Sequence, residues 1–125
     1  MCLSLCIIMT ENWTREKIKE EYENGRRDFS GKNFGGLDLN GINLTWTNMR
    51  GTNLEGANLT GANIDYSCWP LWCGSIGVKV DKKIAVQLCY HFCALYCDDL
   101  EYQEARAKVL DFANQMHRTD VKRLE

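Results

Sequence analysis

The sequence predicts a mainly β fold with α-helical caps, organised around eight consecutive five-residue units between Arg27 and Tyr66. In every unit the middle residue is large and apolar, and the residue before it is Asn or Asp. A period of five matches neither the 3.6 residues of a helical turn nor the two-residue alternation of a strand. Such regular self-similarity predicts a stacked array, in which each unit buries its apolar residue against its neighbours.

The units resemble the Ala-(Asp/Asn)-Leu-x-x pattern of the pentapeptide repeat family, most closely at Ala57–Gly61 and Ala62–Tyr66. The resemblance implies a short right-handed quadrilateral β-helix of two coils, with one unit on each face and four units in each coil. It also implies that the middle residues point inward. Because they form the only continuous apolar columns in this stretch, the predicted core is Phe29, Phe34, Leu39, Leu44, Met49, Leu54, Leu59 and Ile64.

Four units per coil place each residue under the residue twenty positions later, so that like positions stack. Six units end in glycine, which suits a tight corner because glycine adopts positive φ cheaply. Trp46 and Tyr66 replace glycine at the fourth corner, which predicts one aromatic edge. That edge is either an interaction surface or a face packed against the C-terminal part of the chain.

The first coil departs from the family pattern at two inward positions. Arg27 and Lys32 occupy the inward position of their units, which Ala57 and Ala62 fill in the second coil. Long charged side chains are not buried without partners, so the first face is predicted to be frayed or open.

The flanking segments complete one predicted domain of 125 residues. Residues 10–25 are predicted to form an N-terminal capping helix with Thr10 or Asn12 as its N-cap. A Trp- and Cys-rich capping loop follows the repeats at 67–80, then a helical hairpin at 81–118 capped by Asp81 and by Asp98 or Asp99, then a frayed tail at 119–125. Residues 1–9 are predicted to be a non-structural extension, with Met1 and Met9 as alternative starts.

Charge and cysteine content narrow the classes of partner and location. The formal net charge of −2 gives no basic surface for direct binding of nucleic acid, and no segment is long enough to predict a membrane span. Seven cysteines without a recognisable secretory signal predict reduced thiols and a cytoplasmic location.

The candidate metal ligands are Cys68, Cys73, His91, Cys93 and Cys97. The spacing of Cys68 and Cys73 meets the upper limit for a zinc pair, and Cys93 and Cys97 share a helix face. Small buried cysteines in a core are the simpler interpretation. A nucleophilic pair of Cys68 or Cys73 with His91 lacks an activating motif. The sequence therefore predicts no enzyme, no catalytic residue and no cofactor.

Well-studied pentapeptide repeat proteins mimic DNA and bind DNA gyrase, but this array is a poor match for that role. Two coils are only about 10 Å tall, and between Arg27 and Tyr66 four acidic residues face three basic ones. The sequence instead predicts a small non-enzymatic protein–protein interaction module with an unknown protein partner, and with a homodimer through the hairpin as a further contact. Two alternatives stay open: a bacterial or phage-encoded inhibitor of a nucleic-acid or defence enzyme, and a zinc-stabilised structural module.

Overall fold

The computed structural model of the protein describes residues 12–125, so the predicted extension at residues 1–9 lies outside the described residues. The chain forms two compact units, one ending at Val80 and the other running from Asp81 to Glu125. In the described range the α-helices are α1 (Arg15–Glu23), α2 (Lys82–Cys93) and α3 (Leu100–Ala113). A short 3₁₀ helix occupies Cys73–Ser75. None of the described helices combines the length and the hydrophobicity needed to cross a membrane.

The predicted mainly β class, a short right-handed quadrilateral β-helix, is wrong. Residues 12–125 contain no β-sheet, and the repeat units pair only through isolated parallel bridges of single residues. The physical reason is the length of the unit. After each bridging residue and the middle residue that follows it, the next two residues form a turn, so no run long enough for a strand remains. The regular secondary structure of the described chain is therefore helical.

The isolated bridges nevertheless follow the predicted register of twenty residues. They join Asp28 to Asn48, Asn33 to Asn53, Asp38 to Asn58 and Asn43 to Asn63. Backbone hydrogen bonds accompany them: the Phe29 N–H donates to Asn48 O at 2.9 Å, and the Leu44 N–H donates to Asn63 O at 2.8 Å. Each unit of the first coil thus lies against the corresponding unit of the second.

The Asn or Asp of each unit builds the turn that follows it. Its side-chain oxygen accepts a hydrogen bond from the backbone N–H two residues later, as in Asp28 to Ser30 at 3.0 Å and Asn43 to Thr45 at 3.1 Å. The same contact recurs in all eight units, at residues 28, 33, 38, 43, 48, 53, 58 and 63. Asn and Asp mimic a backbone turn in this way, which explains why no other residue type occupies the position.

All eight middle residues are buried, and together they form the interior of the compact unit that ends at Val80. The residues two positions before them are also buried in the second coil. Ala57 and Ala62 fit there without polar atoms, whereas the Thr47 hydroxyl donates to Leu44 O at 2.7 Å and the Thr52 hydroxyl donates to Phe29 O at 2.9 Å. A buried hydroxyl with such a partner avoids the penalty for desolvation.

The predicted fraying of the first face is also wrong. Arg27 O and Lys32 O accept hydrogen bonds of 2.8 Å and 2.9 Å from the second coil, so the backbone of this face is regular. The charge of Arg27 is accommodated outside the interior. The Arg27 guanidinium carbon lies 3.6 Å from the centroid of the Tyr22 ring, and the Arg27 Nη1–H donates to Tyr22 O at 2.8 Å.

Helix α1 begins later than predicted, because Thr14 and not Asn12 provides its cap; Thr10 lies outside the described residues. The Thr14 hydroxyl accepts from the Lys17 N–H at 3.1 Å. Just before the helix, the buried Trp13 ring meets Phe29 and Phe34 edge-on, at centroid distances of 5.9 Å and 5.5 Å. These contacts cover the open end of the first coil with aromatic surface.

Residues 67–80 form a third, incomplete coil where the sequence predicts a capping loop. The N–H groups of Met49, Leu54 and Leu59 donate to Cys68 O, Gly74 O and Lys79 O, at 3.1, 2.7 and 2.7 Å. The bridge spacing is twenty from Asn48 to Cys68 but twenty-one from Asn58 to Lys79, so this coil holds one extra residue. The 3₁₀ helix lies within the stretch that contains the insertion.

The second unit is a hairpin of α2 and α3 with a fixed tail. Asp81 and Asp99 cap the two helices by accepting from the N–H groups of Ile84 and Tyr102, at 2.9 and 3.0 Å. The tail was predicted to fray, but the Asn114 side chain makes two hydrogen bonds to the Leu124 backbone, of 2.9 and 2.8 Å. These bonds hold the end of the chain against the end of α3.

The variant Leu54→Lys tests the stacking. Leu54 is fully buried and its N–H pairs with the third coil, so a lysine there buries a charge without a partner. We expect a loss of several kcal/mol, enough to unfold much of a domain whose total stability is about 5–15 kcal/mol. Thermal melting followed by circular dichroism measures it. Asn40→Lys, at an exposed position, is the matched control and should melt like the parent; equal melting of the Leu54 variant contradicts the burial.

Candidate functional site

The corners of the coils all lie in the left-handed region of backbone conformation. The six corner glycines of the eight units have φ between +70° and +75°, and Trp46 and Tyr66 have φ of +63° and +61°. In the described chain these two are the non-glycine residues with positive φ. Because Cβ then crowds the carbonyl oxygen, this conformation costs an ordinary residue about 1–2 kcal/mol.

Trp46 and Tyr66 stack face to face on one edge of the stacked coils. Their ring centroids are 4.2 Å apart and their planes differ by only 7°. Trp46 is 64% exposed and Tyr66 is 51% exposed. We call this pair the aromatic edge. The exposure favours an interaction surface over the alternative in which the chain itself covers the rings.

The stacking of the two rings opposes the strain of the two corners. An aromatic pair contributes about 0.5–1.5 kcal/mol beyond its buried area, and two left-handed non-glycine residues together cost about 2–4 kcal/mol. The other six corners avoid this cost with glycine. Strained backbone conformations cluster at functional sites.

The backbone beneath the aromatic edge is tightly held. The Trp46 N–H donates to Asp65 O at 3.0 Å, which joins the two corners directly. Thr45 precedes Trp46, and its hydroxyl lies 2.7 Å from the Tyr22 hydroxyl of α1. With the turn hydrogen bonds at Asn43 and Asn63, these contacts fix both rings before any partner arrives. A rigid surface loses little conformational entropy on binding.

A cleft of about 280 Å³ lies beside α1. Arg15 and Lys19 line it together with Glu23, so its charges are mixed. The Arg15 guanidinium donates to the Asp38 carbonyl at 3.2 Å. Since its charges have no common sign and its arginine already has a partner, the cleft indicates no ligand class.

The predicted zinc candidates do not form a metal centre. Within residues 12–125, no three His, Cys, Asp or Glu side chains are grouped so that they could hold a metal ion. Cys73 is disulfide-bonded, contrary to the expectation of reduced thiols throughout, and is therefore not a thiolate ligand. Cys68 is exposed, and Cys93 is buried. His91 is exposed beside the Tyr90 ring, with 5.8 Å between centroids.

Cys89 is a thiol in the second unit that the zinc prediction left out. Burial raises its pKa above that of an ordinary thiol, and the neighbouring Cys93 raises the pKa further by charge repulsion and a hydrogen bond. The thiolate is the form that binds metals and attacks electrophiles, so these surroundings disfavour both roles. The two thiols are better described as part of the contact between the helices, where Cys89 Sγ lies 3.8 Å from Val109 O.

Sequence reasoning found the aromatic edge through the register of twenty residues, but it missed the backbone strain. Glycine at the other six corners indicates that the corner position has positive φ, so a non-glycine residue at the same position is expected to be strained.

Comparison with known proteins agrees with the repeat geometry. No curated protein matches the chain. Residues 28–68 match the family model described as pentapeptide repeats, in eight copies. The matched range starts at the first bridging residue, Asp28, and ends at Cys68, the first bridging residue of the third coil. Residues 28–68 of this chain are thus eight pentapeptide repeats.

Proposed function

We propose that the protein is a small non-enzymatic protein-interaction module, and that the aromatic edge is its contact surface. The observation that carries the proposal is the exposed stack of Trp46 and Tyr66 on two strained corners. The match to the pentapeptide repeat family supports an interaction-type module in general terms. The proposal includes no catalytic residue and no cofactor.

The chemistry of the edge suits a protein partner. Trp and Tyr are enriched among the residues that dominate binding energy, because a large rigid ring buries much apolar area for little loss of entropy. The exposed surfaces of the two rings lie at adjacent levels of the array, one coil apart. A partner that covers both rings would gain apolar contact without having to reorganise the backbone.

Comparing Trp46→Gly with Trp46→Ala tests the strain. Both variants lose the stack, but only alanine keeps a Cβ at φ of +63°. We expect the glycine variant to be more stable than the alanine variant by about 1 kcal/mol. Denaturant unfolding gives these free energies.

The same pair of changes at Asn40 is the control. Asn40 is exposed and lies outside the left-handed region, so alanine should be the more stable substitution there. If alanine at position 46 equals or exceeds glycine in stability, the corner is not strained and the argument for function fails.

Capture of partners tests the function itself. The full chain, immobilised, is exposed to a bacterial lysate beside the double variant Trp46→Gly with Tyr66→Gly, and bound proteins are quantified by mass spectrometry. We expect a defined partner whose affinity falls at least about thirtyfold in the double variant, because the loss of one strong aromatic contact already has an effect of that size.

Leu71→Ala is the matched control for this capture, because Leu71 is a 93% exposed apolar residue of the same unit that is not part of the edge. It should retain the partner. A partner that binds the parent and the double variant equally contradicts the proposed surface.

A further inference from the structure

Three large apolar side chains that are not part of the aromatic edge are exposed within six residues, in the connection between α2 and α3 and at the start of α3. Leu95, Tyr96 and Leu100 are 60%, 92% and 79% exposed. We call residues 95–101 the hairpin tip. Apolar side chains of this size, placed together on the surface, mark sites of association more often than isolated ones do.

The hairpin tip is held in place by side chains of α3. The Tyr102 hydroxyl lies 2.7 Å from Phe92 O and 3.1 Å from Leu95 O. The Gln103 amide donates to Cys97 O, and the Arg106 guanidinium donates to Cys93 O, both at 2.6 Å. These donors bond carbonyl groups at the end of α2 and in the connection that follows it. The apolar side chains therefore project from a fixed backbone.

The charge near the hairpin tip is predominantly negative. From Ile84 to Arg106 the sequence contains one base, Arg106, whose guanidinium is bonded to Cys93 O, and four exposed acids, Asp98, Asp99, Glu101 and Glu104. The opposite end of the second unit carries an excess of bases: Lys82, Lys83, Arg118, Lys122 and Arg123 against the acids Asp81, Asp120 and Glu125. The tip is thus an apolar segment with acidic residues beside it in the sequence.

This charge pattern distinguishes between the partners that could cover the tip. Two copies meeting tip to tip would place like charges together, which opposes association. Contact of a tip with the basic end of another copy would be head-to-tail and would add further copies until a ring closed or an open chain formed. A partner that is both apolar and basic complements the tip in both respects.

We propose that the hairpin tip binds a segment of another protein that carries apolar side chains flanked by Lys or Arg. Leu95, Tyr96 and Leu100 provide the apolar contact, and Asp98, Glu101 and Glu104 attract the basic groups. This surface is independent of the aromatic edge, so either can fail without the other.

The probe is a pair of synthetic amphipathic peptides of about fifteen residues, a length at which helices become marginally stable. Both carry Leu on one side; one carries Lys on the other side and its match carries Glu. Binding to the full-length protein is followed by fluorescence anisotropy. We expect the Lys peptide to bind and to weaken as salt rises from about 0.05 to about 0.5 M, and the Glu peptide not to bind.

Variants of the tip complete the test. Tyr96→Ala and Leu100→Ala should each weaken the Lys peptide about tenfold, with thermal melting unchanged because both side chains are exposed. Asp98→Lys combined with Glu101→Lys should transfer the preference to the Glu peptide, while Asp99 is left intact because it caps α3. Leu71→Ala in the first unit should bind like the parent.

Four results overturn the proposal. They are equal binding of both peptides, no binding of either, binding that the tip variants do not change, and self-association of the parent that Tyr96→Ala abolishes. The last would show that a second copy occupies the tip, and sedimentation at several concentrations detects it.

Discussion

The hydrogen bond from a side-chain oxygen of Asn or Asp to the N–H two residues later is the contact on which the repeat depends. It recurs in all eight units at 3.0–3.1 Å. Since each such bond turns the chain within five residues, the next middle residue again faces inward. The same bond limits pairing to one residue per side, which is why the coils stack through isolated bridges and not through strands.

Because the coils stack in register, each position of a unit in the first coil lies under the equivalent position in the second coil. Glycine corners lie over glycine corners. A Cβ atom built on Gly51, for example, would lie 3.8 Å from the backbone N of Gly31. The aromatic corner lies over the other aromatic corner by the same rule. The aromatic edge is consequently a product of the register, which places the backbone of one aromatic corner directly over that of the other.

The sequence alone was sufficient to predict which residues are buried and that Trp46 and Tyr66 lie on one edge, because periodicity specifies which residues share a face. It was insufficient for the fold class, since a resemblance to β-helical proteins does not reveal how few residues remain for pairing in each unit. The third coil was missed because Pro70 and one inserted residue interrupt the pattern, although backbone pairing at Gly74 and Lys79 persists. The hairpin tip was missed because helical periodicity says nothing about the residues between helices.

The spacing of twenty residues between bridged partners also determines how such a chain can change in length. Duplication of a full coil would add a level and leave every face in place, so the aromatic edge would grow by one ring. Duplication of a single unit would rotate all later residues by one face, moving Tyr66 away from Trp46 and bringing a glycine over it. The one-residue insertion before Gly74 is tolerated where the repeat is already ending. Evolution of this surface is therefore expected to proceed in whole coils, while changes of other sizes accumulate at the ends of the array.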